Sequence, residues 1–194
     1  MSIIRVQTKQ INSTDAMIEH HMSDAYKEAA TAIDAIPGIA EVSAHQIIAE
    51  IGIDMSRFPT AAHLCNWAGI CPGNNEIAGN RKSGKITPGN KTLKSTLTQC
   101  AHAAKRNKNS FFQAQYQRLV VRRGKKRATI AVAHSILITI YHVLNGEIFK
   151  DLGADYYTQF NREKKINSYI KQLQKLGVDI PTNVLSASIT TSVA

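Results

Sequence analysis

Two groups of cations are the residues of this sequence that most clearly indicate a chemical role, which is the binding of an anion. They are Arg81, Lys82, Lys85, Lys91, Lys94, Arg122, Arg123, Lys125, Lys126 and Arg127. They lie in a window from Ile77 to Gly146 that holds fourteen of the twenty-four Lys and Arg of the chain and no Asp or Glu. Each phosphate that a cation neutralises releases condensed counterions from nucleic acid. The acid-free window therefore predicts a surface that binds the nucleic-acid backbone.

The first cations of the window lie on a loop that partly matches a nucleotide-binding pattern. Residues 79–86, GNRKSGKI, follow GxxxxGK, but Ile86 stands where that pattern needs Ser or Thr to bind magnesium. No acid follows until Glu147, and Pro and Asn precede the loop where a buried strand is required. Nucleotide hydrolysis is therefore disfavoured, and contact with nucleic-acid phosphates suits these cations better. A solvated basic loop without a ligand is the alternative.

Other side chains do not form a recognisable catalytic centre in the sequence. The histidines lack metal-ligand spacing among carboxylates, and Asp54, Glu76, Asp151 and Asp155 are too far apart in sequence to predict a two-metal site. Three cysteines without a CxxC pair are typical of reduced, packed thiols. We expect no metal site, no cofactor and no complete active site in this chain.

Helical periodicity predicts the elements that position the cations. The predicted helices are 15–36, 41–51, 61–68, 91–105, 110–122, 125–144 and 161–176. Residues 70–90 are rich in Gly, Pro and Asn, which favours a long basic loop with at most a short hairpin. Because almost no segment is typical of a strand, the predicted fold class is all-α.

Lys125, Lys126 and Arg127 stand at the start of a predicted helix. Cations at a helix start oppose the helix dipole, which is mildly unfavourable for folding. Three adjacent cations there suggest an external anion, and a solvated helix end is the alternative.

The segment 36–52, IPGIAEVSAHQIIAEIG, is similar to a helix-hairpin-helix element. The tight turn of that element presents backbone N–H groups to a phosphate at a helix N-terminus. Ala40 stands where the element usually has a second Gly. A phosphate contact and a purely structural hairpin therefore both stay open.

Charge and hydropathy give the expected location of the protein. The formal net charge of +10 and the pI near 9.7 favour an anionic partner. The apolar run 128–144 is at the short limit for a membrane span and is interrupted by polar residues, so it predicts a buried core helix. The N-terminus lacks the apolar stretch of a signal peptide, so we expect a cytoplasmic protein without a membrane partner.

Several strings in order along residues 29–157 resemble one protein family. They include DMSRFPTAAHL, NWAGICPGNNE, AGNRKSGK, GNKTL and GADYY. They are similar to the C-terminal transposase domain of the insertion-element 110/1111 family. Full-length members carry an N-terminal RuvC-like domain with metal-binding acids, a coiled-coil linker, and then this domain with a nucleophilic serine. The resemblance implies DNA as a partner and suggests an element-encoded guide RNA as another.

The sequence departs from this family in two ways. Ile77 stands where the family has its nucleophilic serine, and an aliphatic side chain has no hydroxyl to attack phosphorus. Ser83 lies six residues later and does not match the family position. No counterpart of the RuvC-like domain, which uses a divalent metal, is found in the sequence.

The resemblance gives a domain division and three functional hypotheses. Residues 1–35 correspond to the coiled-coil-like linker, 36–157 to the transposase C-terminal domain and 158–194 to a polar helical tail. The first hypothesis is a truncated, catalytically impaired transposase domain that binds DNA in transposition. The second is an active recombinase subunit complemented in trans, with Ser83 as nucleophile. The third is a non-catalytic assembly or inhibitor module that pairs with copies of itself or with full-length transposase.

Overall fold

A computed structural model describes residues 3–71, 75–77, 80–83, 86, 88–157 and 162–177. The fold is all-α, as the sequence predicts. The helices are α1 (Ile3–His21), α2 (Asp24–Asp34), α3 (Glu41–Ile51), α4 (Ala61–Trp67), α5 (Lys91–Ala104), α6 (Phe111–Arg123), α7 (Lys125–Leu144) and α8 (Arg162–Lys175). A 3-10 turn, Met55–Arg57, precedes α4, and two short strands, β1 (Asn75–Ile77) and β2 (Asn80–Ser83), lie between α4 and α5.

The N-terminal helical region differs from its prediction. One helix over 15–36 is wrong, because α1 ends at His21 and α2 begins at Asp24. Ser23 interrupts the helix with extended backbone angles, φ −67° and ψ 156°, and serves as the N-cap of α2. Serine favours such a position over a helix interior, so the apolar periodicity continues across a break in the backbone.

The core of the first compact unit, residues 1–154, is built around α7. This helix packs against α2, α4, α5 and α6 and buries a stripe that includes Val132, Ile136 and Ile140. It is also long and apolar enough to cross a membrane by length and composition. Its buried stripe and its four helical neighbours instead make it the central core helix that the sequence predicts.

The turn between α2 and α3 is fixed by a close backbone approach. Gly38 has φ +92°, and a Cβ at this position would lie 2.5 Å from the backbone nitrogen of Ala104 and 2.5 Å from the carbonyl oxygen of Cys100. Only glycine therefore fits between this turn and the end of α5. Further along, Thr96 Oγ1 donates to Gln46 Oε1 at 3.2 Å, which joins α5 to α3.

The segment from β1 to α5 returns to the core at a second close approach. A Cβ on Gly89 would lie 2.4 Å from the backbone nitrogen of Gly69 and 2.6 Å from the carbonyl oxygen of Ala68. Asn90 then caps α5, since its Oδ1 accepts from the N–H of Leu93 at 2.9 Å. Its Nδ2 donates to Glu50 Oε2 at 2.5 Å. Gly89 and Asn90 are thus held between α3, the end of α4 and the start of α5.

The second compact unit comprises residues 155–194. Its described helix is α8, with Tyr169 60% exposed and Leu173 42% exposed. Its bounds, Arg162–Lys175, lie within the predicted helix 161–176.

Candidate nucleic-acid interface

The connection between α6 and α7 is a single residue, Gly124. It ends α6 and begins α7 with φ +77° and ψ 165°, and a Cβ on it would meet no atom within 4 Å. A positive φ explains the glycine, and the open surroundings show that the connection points away from the core. The two helices are antiparallel here, since Gln115 Nε2 of α6 donates to Ser135 Oγ of α7 at 2.7 Å.

Five exposed cations surround this connection, and we call them the cationic corner. They are Arg122, Arg123, Lys125, Lys126 and Arg127. Among the residues that the structure describes, none of the five forms an ion pair. The positive charge of the corner is therefore not neutralised within the described chain.

The start of α7 adds backbone donors to the cationic corner. The first N–H groups of a helix have no intrahelical acceptor. Gly124 has no side chain to cap them, and the first turn contains no acid. Among the described residues none accepts from the N–H groups of Lys125, Lys126 and Arg127, so these groups suit an external acceptor beside the positive end of the helix dipole. This arrangement suits an anion with several oxygens.

The opposite end of the α6–α7 hairpin carries carboxylates. Asp151 Oδ1 accepts from the N–H of Phe111 at 3.0 Å, at the start of α6. Glu147 Oε1 lies 2.7 Å from His142 Nδ1, near the end of α7. These acids lie beside one end of the hairpin together with Arg106, Lys108 and Lys150, whereas the residues of the cationic corner at the other end are cations alone.

The strands β1 and β2 form a two-stranded hairpin, which we call the basic hairpin, and Ile77 and Ser83 lie at different positions along it. The strands are antiparallel, with Ile77 opposite Asn80 and Ser83 opposite Asn75. Ser83 is therefore level with a residue two positions before Ile77, a displacement of about 7 Å along the strand. Ser83 does not occupy the position of Ile77.

The remaining predicted cations of this region divide between β2 and α5. The backbone of Arg81 and Lys82 lies in β2, and Lys85 lies outside the described residues. Lys91 is exposed at the start of α5, and Lys94 is half-buried one turn later. Both follow the fixed contact at Gly89, which anchors the start of α5.

A further cationic group, between α5 and α6, was not among the predicted site residues. Lys105 Nζ lies 2.7 Å from His102 Nδ1 and 4.7 Å from the ring centroid of Tyr116. Burial, followed by the charges of Lys105 and Arg106, lowers the pKa of His102, which favours its neutral form. Arg106 and Lys108 are exposed beside it. The acid-free window already contained these cations, and that pattern was the signal for them.

The turn that is similar to a helix-hairpin-helix element packs against the core and does not present its backbone to a phosphate. Gly38 faces the backbone of α5, and Glu41 is in the first turn of α3. A carboxylate at a helix N-terminus occupies the place that favours an anion and repels a phosphate. These contacts favour the structural alternative for this hairpin.

Metal-ligating and nucleophilic groups are sparse in the described ranges. Within them, no group of three or more His, Cys, Asp and Glu is arranged to hold a metal ion. These described residues therefore do not provide a ligand set that fits the divalent metal of a RuvC-like domain. Burial raises the pKa of Cys65 to about 12 and also raises the pKa of Cys100, so both thiols stay protonated at neutral pH.

The fold and the surface together define a helical domain with a cationic face suited to a polyanion. Residues 30–117 match the sequence model of a family described as Transposase IS116/IS110/IS902 family. This segment is somewhat less than half of the 194-residue chain. No curated protein matches the chain. The match supports a transposase role.

The matched segment contains the basic hairpin but not the cationic corner. It begins in α2 and ends at residue 117 within α6, before Arg122. The Gly38 and Gly89 contacts both lie inside it. The family match and the cationic corner are thus two separate observations on the same chain.

Proposed function

We propose that this protein acts in DNA transposition as a transposase-family chain that binds element DNA and has impaired strand-transfer chemistry. The observation that carries this proposal is the cationic corner at Gly124. Element-encoded RNA is a further partner of the same surface, and a cytoplasmic location belongs to the proposal. The family match supports the element as the source of the nucleic acid.

The physical basis of binding is charge without base recognition. Arg and Lys side chains at the corner suit phosphate oxygens, and the first N–H groups of α7 suit the same acceptors. Contacts to phosphates fix position on a duplex and carry no sequence information directly. The corner therefore supplies affinity, and we assign sequence selection to other surfaces.

Impaired strand transfer follows from the side chain at position 77. A serine nucleophile needs a hydroxyl, a base to accept its proton and cations that stabilise the developing charge. Ile77 supplies no hydroxyl. Since Ser83 lies about 7 Å away along the strand, it does not replace a serine at position 77 without a change of register.

The first experiment measures binding by the full chain. Fluorescence anisotropy with an element-end duplex, an unrelated duplex and element RNA should show binding that weakens with salt. Absence of salt-dependent binding to all three would overturn the proposal. Equal affinity for the two duplexes would support backbone contact without base recognition.

The second experiment tests the chemistry. We expect no covalent protein–DNA adduct with the native chain or with Ile77→Ser. An adduct that disappears in Ser83→Ala would instead establish an active recombinase subunit. The matched control is Ser95→Ala, which removes an exposed hydroxyl from α5. Recovery of cleavage by Ile77→Ser alone would show that the rest of the catalytic apparatus is present.

The helix α1 favours an assembly module as a second candidate function. Ile4, Ile11 and Ile18 follow one another at intervals of seven residues and are 73%, 60% and 44% exposed. No residue of α1 is buried. Apolar residues seven apart form one of the two rows of a coiled-coil seam, so this exposed row gives α1 a surface for association.

Light scattering tests that second candidate. If α1 pairs with another copy, Ile4→Ser, Ile11→Ser and Ile18→Ser together should reduce the molar mass of the assembly to that of a monomer. The matched control changes Lys9, Asn12 and Glu19, which are also exposed on α1. A mass that is the same in all three proteins would remove the assembly role of α1.

A further inference from the structure

An exposed aromatic side chain lies next to the Gly89 contact that anchors the start of α5. Trp67, the single tryptophan of the chain, ends α4 and is 44% exposed. A large aromatic ring contributes strongly to binding energy when a partner covers it. The position of Trp67 within the family-matched segment does not by itself assign it a partner.

The ring of Trp67 is supported from the core side. Its centroid lies 5.7 Å from that of Phe58, with an angle of 56° between the planes. Phe58 packs against the core, and its carbonyl oxygen accepts from the hydroxyl of Tyr141 at 3.0 Å. A ring held in this way loses little conformational freedom when a flat ligand stacks on it.

One of the predicted cations, Lys91, is connected to this ring through a backbone contact. Ala68 follows Trp67 directly and is in backbone contact with Gly89, and Lys91 is two residues beyond that glycine. Two residues of extended chain span at most about 7 Å. The backbone of Lys91 therefore lies within about 7 Å of Gly89, which contacts the residue after Trp67.

A polar side chain on the same helical face as the ring suits the edge of a base. His63 is exposed one helical turn before Trp67. The Nδ1 atom of His63 lies 2.9 Å from the hydroxyl of Thr60, which orients the imidazole. An aromatic face with cations nearby is the combination that binds unpaired nucleotides.

We propose that Trp67 is a stacking platform for an unpaired nucleobase of single-stranded nucleic acid, with Lys91 neutralising the adjacent phosphate. This inference rests on the proposed function and adds a substrate class to it. Bases inside an intact duplex are already stacked and do not present a free face, so the ligand is a single-stranded segment, a loop or a melted end.

The single tryptophan makes the test direct, because all tryptophan emission of the full chain comes from position 67. The probe is oligothymidine of about 12 nucleotides, within the site sizes usual for single-strand binding. The control ligand is an abasic deoxyribose-phosphate oligomer of the same length. Saturable quenching by oligothymidine and little quenching by the abasic oligomer are expected. Equal quenching by the two ligands would overturn the proposal.

Affinity measurements with labelled ligands test the same contact through variants. Trp67→Ala should weaken oligothymidine binding about 5- to 150-fold, the loss that corresponds to one stacked base, and leave the abasic oligomer unaffected. Trp67→Phe should retain most of the affinity. The matched control is Tyr26→Ala, which removes another exposed aromatic ring, on α2, and should change neither ligand.

The outcomes separate this inference from the proposed function. Duplex binding without base-dependent quenching would overturn the role of Trp67 and leave the proposed function standing. Absence of binding to every nucleic acid would overturn both. Unchanged nucleic-acid affinity in Trp67→Ala together with a smaller assembly would show that this face binds protein instead. Oligouridine of equal length distinguishes the source, since tighter binding than oligothymidine favours RNA.

Discussion

Neutralising the cationic corner should flatten the salt dependence of DNA binding. The perturbation replaces five cations by glutamine: Arg122, Arg123, Lys125, Lys126 and Arg127. Each phosphate contact on duplex DNA contributes about 0.9 to the slope of log affinity against log salt. If every corner cation contacts one phosphate, the slope for the variant is less steep than that for the native chain by about 4.5.

The size of this effect is large enough to measure over a modest salt range. Raising salt from about 50 to 200 mM is a fourfold change, so a slope difference of 4.5 corresponds to about 500-fold in affinity. Three simultaneous contacts would still give about 40-fold. We therefore expect the native chain to lose about 40- to 500-fold more affinity than the corner variant over this range.

The control variant removes the same charge elsewhere. Five exposed cations outside the acid-free window are replaced by glutamine: Arg5, Lys9, Lys27, Arg57 and Lys150. Both variants reduce the formal net charge from +10 by five, so they share the loss of long-range attraction. Any difference in slope between them comes from local contacts. Equal slopes in the two variants would refute the assignment of the corner.

Loss of folding does not explain the expected result. Lys125, Lys126 and Arg127 oppose the dipole at the start of α7, whereas Arg122 and Arg123 are favourable at the end of α6. The two effects are opposite in sign and each is on the order of 1 kcal/mol or less per charge. The thermal midpoint of the corner variant should stay close to that of the native chain.

Three further predictions concern stability. Gly38→Ala should lower the free energy of unfolding by about 3 kcal/mol in urea denaturation, because its Cβ meets the α5 backbone at 2.5 Å. Gly146→Ala is the control, since Gly146 has nearly the same φ, +93°, and open space around it, and about 1 kcal/mol is expected. Cys65 has its folded pKa raised from 9.0 to about 12, so stability is full below pH 9 and falls as pH rises towards 12. That loss approaches about 1.4 kcal/mol per pH unit and should be smaller in Cys65→Ala. Tyr141→Phe removes the hydrogen bond to Phe58 and should cost about 1 kcal/mol, and an unchanged unfolding midpoint would contradict that contact.

Local chemistry made most of the helical fold predictable. Ser110 and Asn90 cap α6 and α5 through their side chains, and Gly124 ends α6 at a positive φ. Each of these residues has a conformational preference that acts over three or four positions, so sequence alone is enough to find it. The break at Ser23 was missed because apolar periodicity continues through it and outweighed the single capping residue.

Long-range contacts were not predictable in the same way. The sequence of the α2–α3 turn is compatible with a phosphate clamp or a buried turn, and only the approach of Gly38 to α5 distinguishes them. The exposure of Trp67 likewise depends on which helices leave its face uncovered. The cationic residues were predictable as a charge pattern, but their convergence at Gly124 depends on the antiparallel packing of α6 on α7.

The placement of acids explains why binding should be one-sided. Glu19, Asp34 and Glu41 line one cleft together with Lys27 and His45, on the side of the unit formed by α1, α2 and α3. A polyanion approaching this cleft meets three carboxylates and one ammonium group, whereas one approaching the cationic corner meets cations and backbone donors. Like-charge repulsion thus orients the chain before any close contact forms. Replacing the three acids by their amides should therefore raise non-specific DNA affinity without adding a contact, and a Kd unchanged at low salt would show that the cleft exerts no such field.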